Sequence, residues 1–212
     1  MSRTFQFALI DAFTDCPLAG NPCAVVLGAN DLSESEMLKV AKEMNQSETA
    51  FLMPSESASF KLRFFTPETE IPMAGHPTIA AVHAALEAGM IPCADSGSSI
   101  TIELIEGPIS VELAGAKQQR LIRMIQRQPI FGEIHQAADV LSLFGLSEDD
   151  LIPGFPIQTV STGTKQLMIP LSSHESLRKA KLRPEPYLSR LSGYKNSELR
   201  LTSYKPPQRG RR

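Results

Sequence analysis

Along residues 4–13, TFQFALIDAF, apolar and polar side chains alternate before the pattern turns wholly apolar, as in a strand that enters a core. In the following LAGNPCAVVLG, Gly20-Asn21-Pro22 reads as a turn and CAVVL as a second strand, so the two segments predict a hairpin-like unit. Ser33 and Glu36 stand at capping-box spacing ahead of MLKVAKEM, whose apolar residues recur at helical intervals, which predicts a surface helix over 34–44. ETAFLM and SFKLRFFT then read as strands, the second with Phe60, Leu62 and Phe64 on one face.

The segment GHPTIAAVHAALEAG carries the most information. Pro77 suits the first position of a helix and Gly89 the stop just past its end. Between them Ile79, Ala80, Ala81, Val82, Ala84, Ala85 and Leu86 leave almost no polar face. A helix that is apolar all round is buried on all sides, and a curled sheet is the simplest way to surround it. SSITIELIEG, PISVELAG and LIRMIQRQP supply further strands. Beyond residue 130 the pattern loosens. QAADVLSLFG and SEDDLI are helix-like, FPIQTVSTGTKQLMIPL reads as two strands joined through Gly163, and SSHESLRKA as a capped helix start.

Composition adds limits. With 42% hydrophobic and 21% charged residues among 212, the chain is globular in type rather than disordered or rod-like. It has no apolar run of the roughly 20 residues a spanning helix needs, and its start lacks a secretory leader pattern, so a cytoplasmic protein with no membrane partner is expected. Charge is split along the chain. Residues 1–177 hold 10 Lys and Arg against 21 Asp and Glu, whereas residues 178–212 hold 11 against 2. The basic end, rich in Pro and Arg, is expected to be disordered. Cys16, Cys23 and Cys93 are odd in number and lack CxxC spacing, which predicts reduced, mostly buried thiols rather than disulfides or a zinc site. No metal motif or glycine-rich phosphate loop is present, and TGTK at 162–165 reads as a turn between strands, so neither metal nor cofactor is expected. The absence of Trp argues against stacking on nucleic acid, although the basic end alone would attract phosphates without regard to sequence.

Three polar clusters sit in apolar surroundings: DAFTDCPLAGNP, NQSETAF and TPETEIPMAGHPT. Glu48 lies just before an apolar strand, where burial raises a carboxyl pKa toward neutrality and suits it to proton transfer, or where it pairs with a cation. His76 opens the apolar helix beside Gly75. It either caps that helix or helps dock an anionic substrate at the helix N-terminus. His83, inside the helix, reads as a hydrogen-bonded core residue, and His135 and His174, in polar loops or helix starts, carry no signal.

Together the three clusters resemble the PhzF-type isomerases of phenazine biosynthesis, through DAFTDCPLAGNPCAVVL, NQSETAFL and RFFTPETEIPMAGHPTIAAVHAAL, and more weakly through VSTGTKQLMIPL. The resemblance implies an α+β, diaminopimelate epimerase-like fold, in which a mostly antiparallel sheet wraps a central apolar helix. It implies a first half over 1–115 with its helix over 76–88, an incomplete second half over 116–190, and a basic tail over 191–212. It also implies that Glu48 is the proton-shuttling acid/base and His76 its substrate-side partner. Asn21, Ser47, Gly75, Pro77 and Thr78 would line the substrate. The implied reaction is cofactor-free, moving a proton and a double bond on a small cyclic carboxylic acid. Related epimerases use two thiols, one of them just before the glycine that opens the central helix; here that position is Ala74.

The Asp-Pro segment and Thr-Gly-Ser turn that the resemblance places in the second half are not found. The chain therefore reads as truncated or frame-shifted, with no buried helix in its second half and with apolar residues such as those of QLMIPL left exposed. Two alternatives follow: an isomerase, compatible with a homodimer, or a shortened relative that binds without turnover.

Overall fold

The computed structural model describes residues 3–91, 97–115, 121–163 and 165–183, together with the strands Glu198–Leu199 and Thr202–Ser203. The chain divides into two units, Met1–Gln126 and Arg127–Arg212. The first runs past the boundary expected at 115 because a strand over Leu121–Met124 still pairs with the sheet of this unit.

In the first unit the strands are β1 (Gln6–Ala12), β2 (Asn21–Leu27), β3 (Thr49–Met53), β4 (Phe60–Phe65), β5 (Glu70–Ile71), β6 (Ser98–Glu103), β7 (Ile109–Ala114) and β8 (Leu121–Met124). They form one sheet ordered β1-β2-β3-β4-β6-β7-β8, with β5 also pairing β4. All its pairings are antiparallel except β2 with β3 and β4 with β6. Helix α2 (Gly75–Glu87) packs against β1, β2, β3 and β8, so the two ends of the sheet curl round to the same helix. Alanines 80, 81, 84 and 85 are buried against Val25, Ala50, Leu52, Leu62, Phe64 and Ile102, and their small side chains let the sheet close on the helix.

The other face of the sheet is covered by helix α1 (Glu34–Met44), which has the predicted bounds and a complete capping box between Ser33 and Glu36. Its Met37 and Ala41 pack on Val26, Phe51 and Phe65. The Phe51 and Phe65 rings meet edge to face at 5.4 Å.

Several expectations for this unit are corrected. Asn21 and Pro22 belong to β2, opposite Ala12 and Asp11, and the turn lies before them. Helix α2 begins at Gly75, so Pro77 is its third residue; any first-turn position tolerates a missing N–H. The end of α2 follows the reading: Gly89, at φ 67, donates to Leu86, and Met90 donates to Ala85. The helix is not buried on every side. His83 is exposed, and with the half-buried Ile79 and exposed Glu87 it forms one open stripe, so it is not a core histidine. Cys16 is exposed, Cys23 is buried, and Cys93 lies outside the described residues.

The second unit has β9 (Ile130–His135), α3 (Ala137–Phe144), β10 (Ile157–Ser161), β11 (Lys165–Met168), β12 (Pro170–Leu171), α4 (His174–Lys179), β13 (Glu198–Leu199) and β14 (Thr202–Ser203). Strands β10 and β11 pair on either side of Gly163 as predicted, in a sheet ordered β13-β11-β10-β9. This unit does bury one side of a helix. Val140, Leu141, Leu143 and Phe144 of α3 pack on Ile157, Leu167, Ile169 and Leu171, so QLMIPL is not left open.

Exposed apolar residues of this unit instead include Phe131, at 66%, and Ile134, at 60%, on β9, as well as Phe155 and Leu182. SEDDLI forms only a short 3-10 turn at Glu148–Asp150. His135 ends a strand rather than a loop, and its Nε2 lies 2.8 Å from Thr159 Oγ1. Asp150 accepts from the Ser147 N–H at 2.9 Å and from Lys179 Nζ at 2.7 Å, which ties that turn to α4. The expected disordered tail lies outside the described residues, apart from β13 and β14, which are strands. Among the described residues no helix is long and apolar enough to cross a membrane.

Candidate active site

Glu48 and His76 come together in the first unit. Helix α1 ends on Asn45 in the left-handed region, φ 49, which turns the chain toward β3. Glu48 precedes β3 and shares the parity of Ala50 and Leu52, whose side chains face α2. His76 is the second residue of α2. The two side chains are 5% exposed each, with His76 Nε2 at 3.4 Å from Glu48 Oε2. The Ser47 hydroxyl donates to the same oxygen at 2.6 Å, the short separation of a charge-assisted bond.

Helix α2 starts without a side-chain cap, its N-cap being Ala74, so His76 does not cap it. The first-turn N–H groups of α2 thus open beside the Glu48–His76 pair, where a carboxylate group would be favoured. Thr78 is fully buried and its hydroxyl donates to the Ala74 carbonyl at 2.6 Å, which secures that turn from within; Pro77 is buried beside it. Gly75 is half-buried, and Asn21 is exposed at the start of β2, on the face it shares with Cys23 and Val25. Ser47 is exposed at the same edge.

Two neighbours were not singled out in the sequence. Gln126 places its Nε2 3.8 Å from where a Cβ would stand on Gly75. Cys23 is fully buried, and the β2–β3 register, which pairs Ala24 with Thr49, sets it abreast of Glu48. The period-two pattern of NPCAVVL already put Cys23 on the face of Asn21, and that was the available signal for it. Burial chiefly, and the Glu48 carboxylate in addition, push the Cys23 thiol up to about 12 against an opposing backbone hydrogen bond from Ala50. Among the described residues no group of three or more His, Cys, Asp or Glu side chains is gathered as metal ligands would be.

The pair can therefore hold and release one proton on a carboxylate in a largely dry setting, with an imidazole in reach. The chain is 38% identical over 170 residues to the uncharacterized isomerase YddE of Salmonella typhimurium, a match over 77% of this chain and 55% of that protein. It is 31% identical over 174 residues to trans-2,3-dihydro-3-hydroxyanthranilate isomerase of Pseudomonas fluorescens, a match over 81% of this chain and 59% of that enzyme. The chain thus spans somewhat more than half the length of these relatives. The crystal structure of the Bacillus anthracis phenazine biosynthesis protein of the PhzF family matches with a TM-score of 0.81 at 28% identity, over 97% of this chain and 69% of that one. The diaminopimelate epimerase-like, α+β fold is thereby shown. Since the model of the PhzC-PhzF family, described as phenazine biosynthesis-like protein, matches residues 10–200, the chain belongs to that family.

Proposed function

We propose that the chain carries the acid/base side of a cofactor-independent isomerase that moves a proton, and with it a double bond, on a small cyclic carboxylic acid. The observation that carries this reading is the buried Glu48–His76 pair at the uncapped start of α2. Glu48 takes a proton from one ring carbon and returns it to another, so the carboxylate is regenerated and a single group serves both steps. His76 faces the substrate. The first turn of α2 receives the substrate carboxylate, with Asn21 and Gly75 shaping the place where it docks and Thr78 holding that turn from within. The name of the Pseudomonas fluorescens relative, an isomerase of a dihydro-hydroxyanthranilate, supports a cyclic acid as the substrate class.

The test is solvent deuterium incorporation into candidate cyclic acids, measured by mass spectrometry. Glu48→Gln keeps the shape of the side chain and removes the proton carrier. We expect isotope wash-in to fall by about 10²–10⁴-fold; wash-in at the original rate removes Glu48 from the mechanism. One observation favours a second reading, a chain that binds without turnover: the exposed Phe131 and Ile134 of β9 form an apolar surface of the kind that engages a partner. Wash-in assigned to this chain would rule that reading out.

A further inference from the structure

Strand β8 brings one more polar side chain to the start of α2. The β7–β8 register pairs Val111 with Met124, and the Ile125 N–H donates to the Ser110 carbonyl at 3.2 Å, so Gln126 is the first residue beyond the ladder. Gln126 shares the parity of Ile122 and Met124, which pack on the core around α2. Its amide Nε2 accordingly reaches α2 and stands 3.8 Å from where a Cβ would stand on Gly75. Among the described residues the one hydrogen bond of that side chain runs to Met124 Sδ at 3.8 Å. Sulfur is a weak acceptor, and the amide nitrogen keeps a second N–H to give.

This corner points to an acceptor that the described residues do not supply. The first turn of α2 has no side-chain cap, and an amide beside an uncapped helix start would satisfy it by presenting its oxygen. Gln126 turns its nitrogen to Gly75 instead, so donors from α2 and from the end of β8 converge. Gly75 has no left-handed φ, and apart from its chain neighbours and the helix backbone a Cβ on it would meet only Gln126 within 4 Å. Neither backbone strain nor crowding calls for glycine there; the missing side chain leaves room beside the amide. A carboxylate fits that room, because each of its two oxygens accepts and the donors stand on two sides.

We propose that Gln126 is a substrate-binding residue: its amide N–H donates to one oxygen of the substrate carboxylate while the first turn of α2 binds the other. The inference rests on the docking place given above and deepens it, since it adds a specificity-determining side chain from outside the three polar clusters. The neutral amide fixes the direction of the carboxylate and leaves its charge to the helix start.

The experiment measures the binding of anthranilate, a fluorescent cyclic carboxylic acid, and of its uncharged counterpart anthranilamide to the full chain, whose lack of Trp leaves that emission clear. Gln126→Met keeps the length of the side chain and removes the donor. It is expected to weaken anthranilate about tenfold, and anthranilamide less, because a neutral oxygen accepts a weaker bond. Gln126→Glu sets a like charge beside the carboxylate. It is expected to weaken anthranilate further and to hold or raise the melting temperature, because an acidic group suits a helix N-terminus. Equal loss of both ligands with lower melting temperatures marks a structural role and overturns the proposal. Unchanged anthranilate affinity in both variants overturns it too, as does a wild type that binds anthranilate no better than anthranilamide. If Gln126→Met does not fold, Gln126→Ala against Gln126→Glu reads the same difference. Isotope wash-in that depends on Glu48 but not on Gln126 removes this proposal alone; carboxylate binding that depends on Gln126, without wash-in, removes the isomerase reading alone.

Discussion

Gly20→Ala probes the turn that brings Asn21 and Cys23 into line with Glu48. A Cβ on Gly20 would stand 2.4 Å from the Ala12 carbonyl oxygen, 2.6 Å from Thr14 Cγ2 and 3.0 Å from Asp11 Cβ. Ordinary contact lies near 3.5 Å, so the nearest atom must retreat by about 1 Å, and it belongs to the backbone of β1, opposite Asn21. Alanine stiffens the unfolded chain, which stabilises by about 0.4–1 kcal/mol. Overpacking against atoms that cannot swing aside costs about 1–3 kcal/mol, toward the upper end where backbone must move. The clash prevails, and a net loss of about 2 kcal/mol lowers the melting temperature by roughly 6–12 °C for a unit of this size. Thermal melts followed by circular dichroism measure it. A variant that melts within about 1 °C of the wild type would refute the reasoning, because the turn would then have room that the geometry denies.

Asp150 supplies a pH test. Lys179 foremost, with the Ser147 N–H, holds its carboxyl well below the usual aspartate range. A carboxyl depressed by folding contributes stability that is full above its unfolded value, about 3.9, and is lost as pH falls through the lower folded value. Acid melts should therefore show the second unit weakening below about pH 4, with a shallower slope in Asp150→Asn; equal slopes in the two proteins contradict the clamp. Phe51→Leu removes the edge-to-face contact with Phe65 beneath α1. It is expected to cost about 1–2 kcal/mol in urea denaturation, and an unchanged midpoint would show that α1 does not depend on that ring pair.

Much of the first unit was legible because its signals are local. The capping box over Ser33 and Glu36, the apolar run of α2 and the glycine after it each act within a few residues, and each element formed where the pattern put it. Elements whose reason lies elsewhere were not legible. IFGEIH was assigned no element from its pattern, yet it forms β9, with Phe131 and Ile134 exposed. SEDDLI has helical spacing, but Asp150 is drawn to Lys179 and Ser147 and only a short turn forms. His83 sits in the middle of an apolar run, yet its angle around α2 falls on the stripe that the curled sheet leaves open.

By itself the sequence determined which segments extend, which coil, and where polar groups interrupt them, since hydrophobic period and capping chemistry are set by near neighbours. It also carried the motifs that mark the family, because each lies within one short stretch. Only the tertiary structure decided that Glu48, entering a strand, and His76, opening a helix, stand 3.4 Å apart, and that Cys23 lies abreast of the acid. The physical reason is that strand register and the closing of a sheet round a helix depend on every layer packing at once, and the chain's linear order does not encode the distances that result.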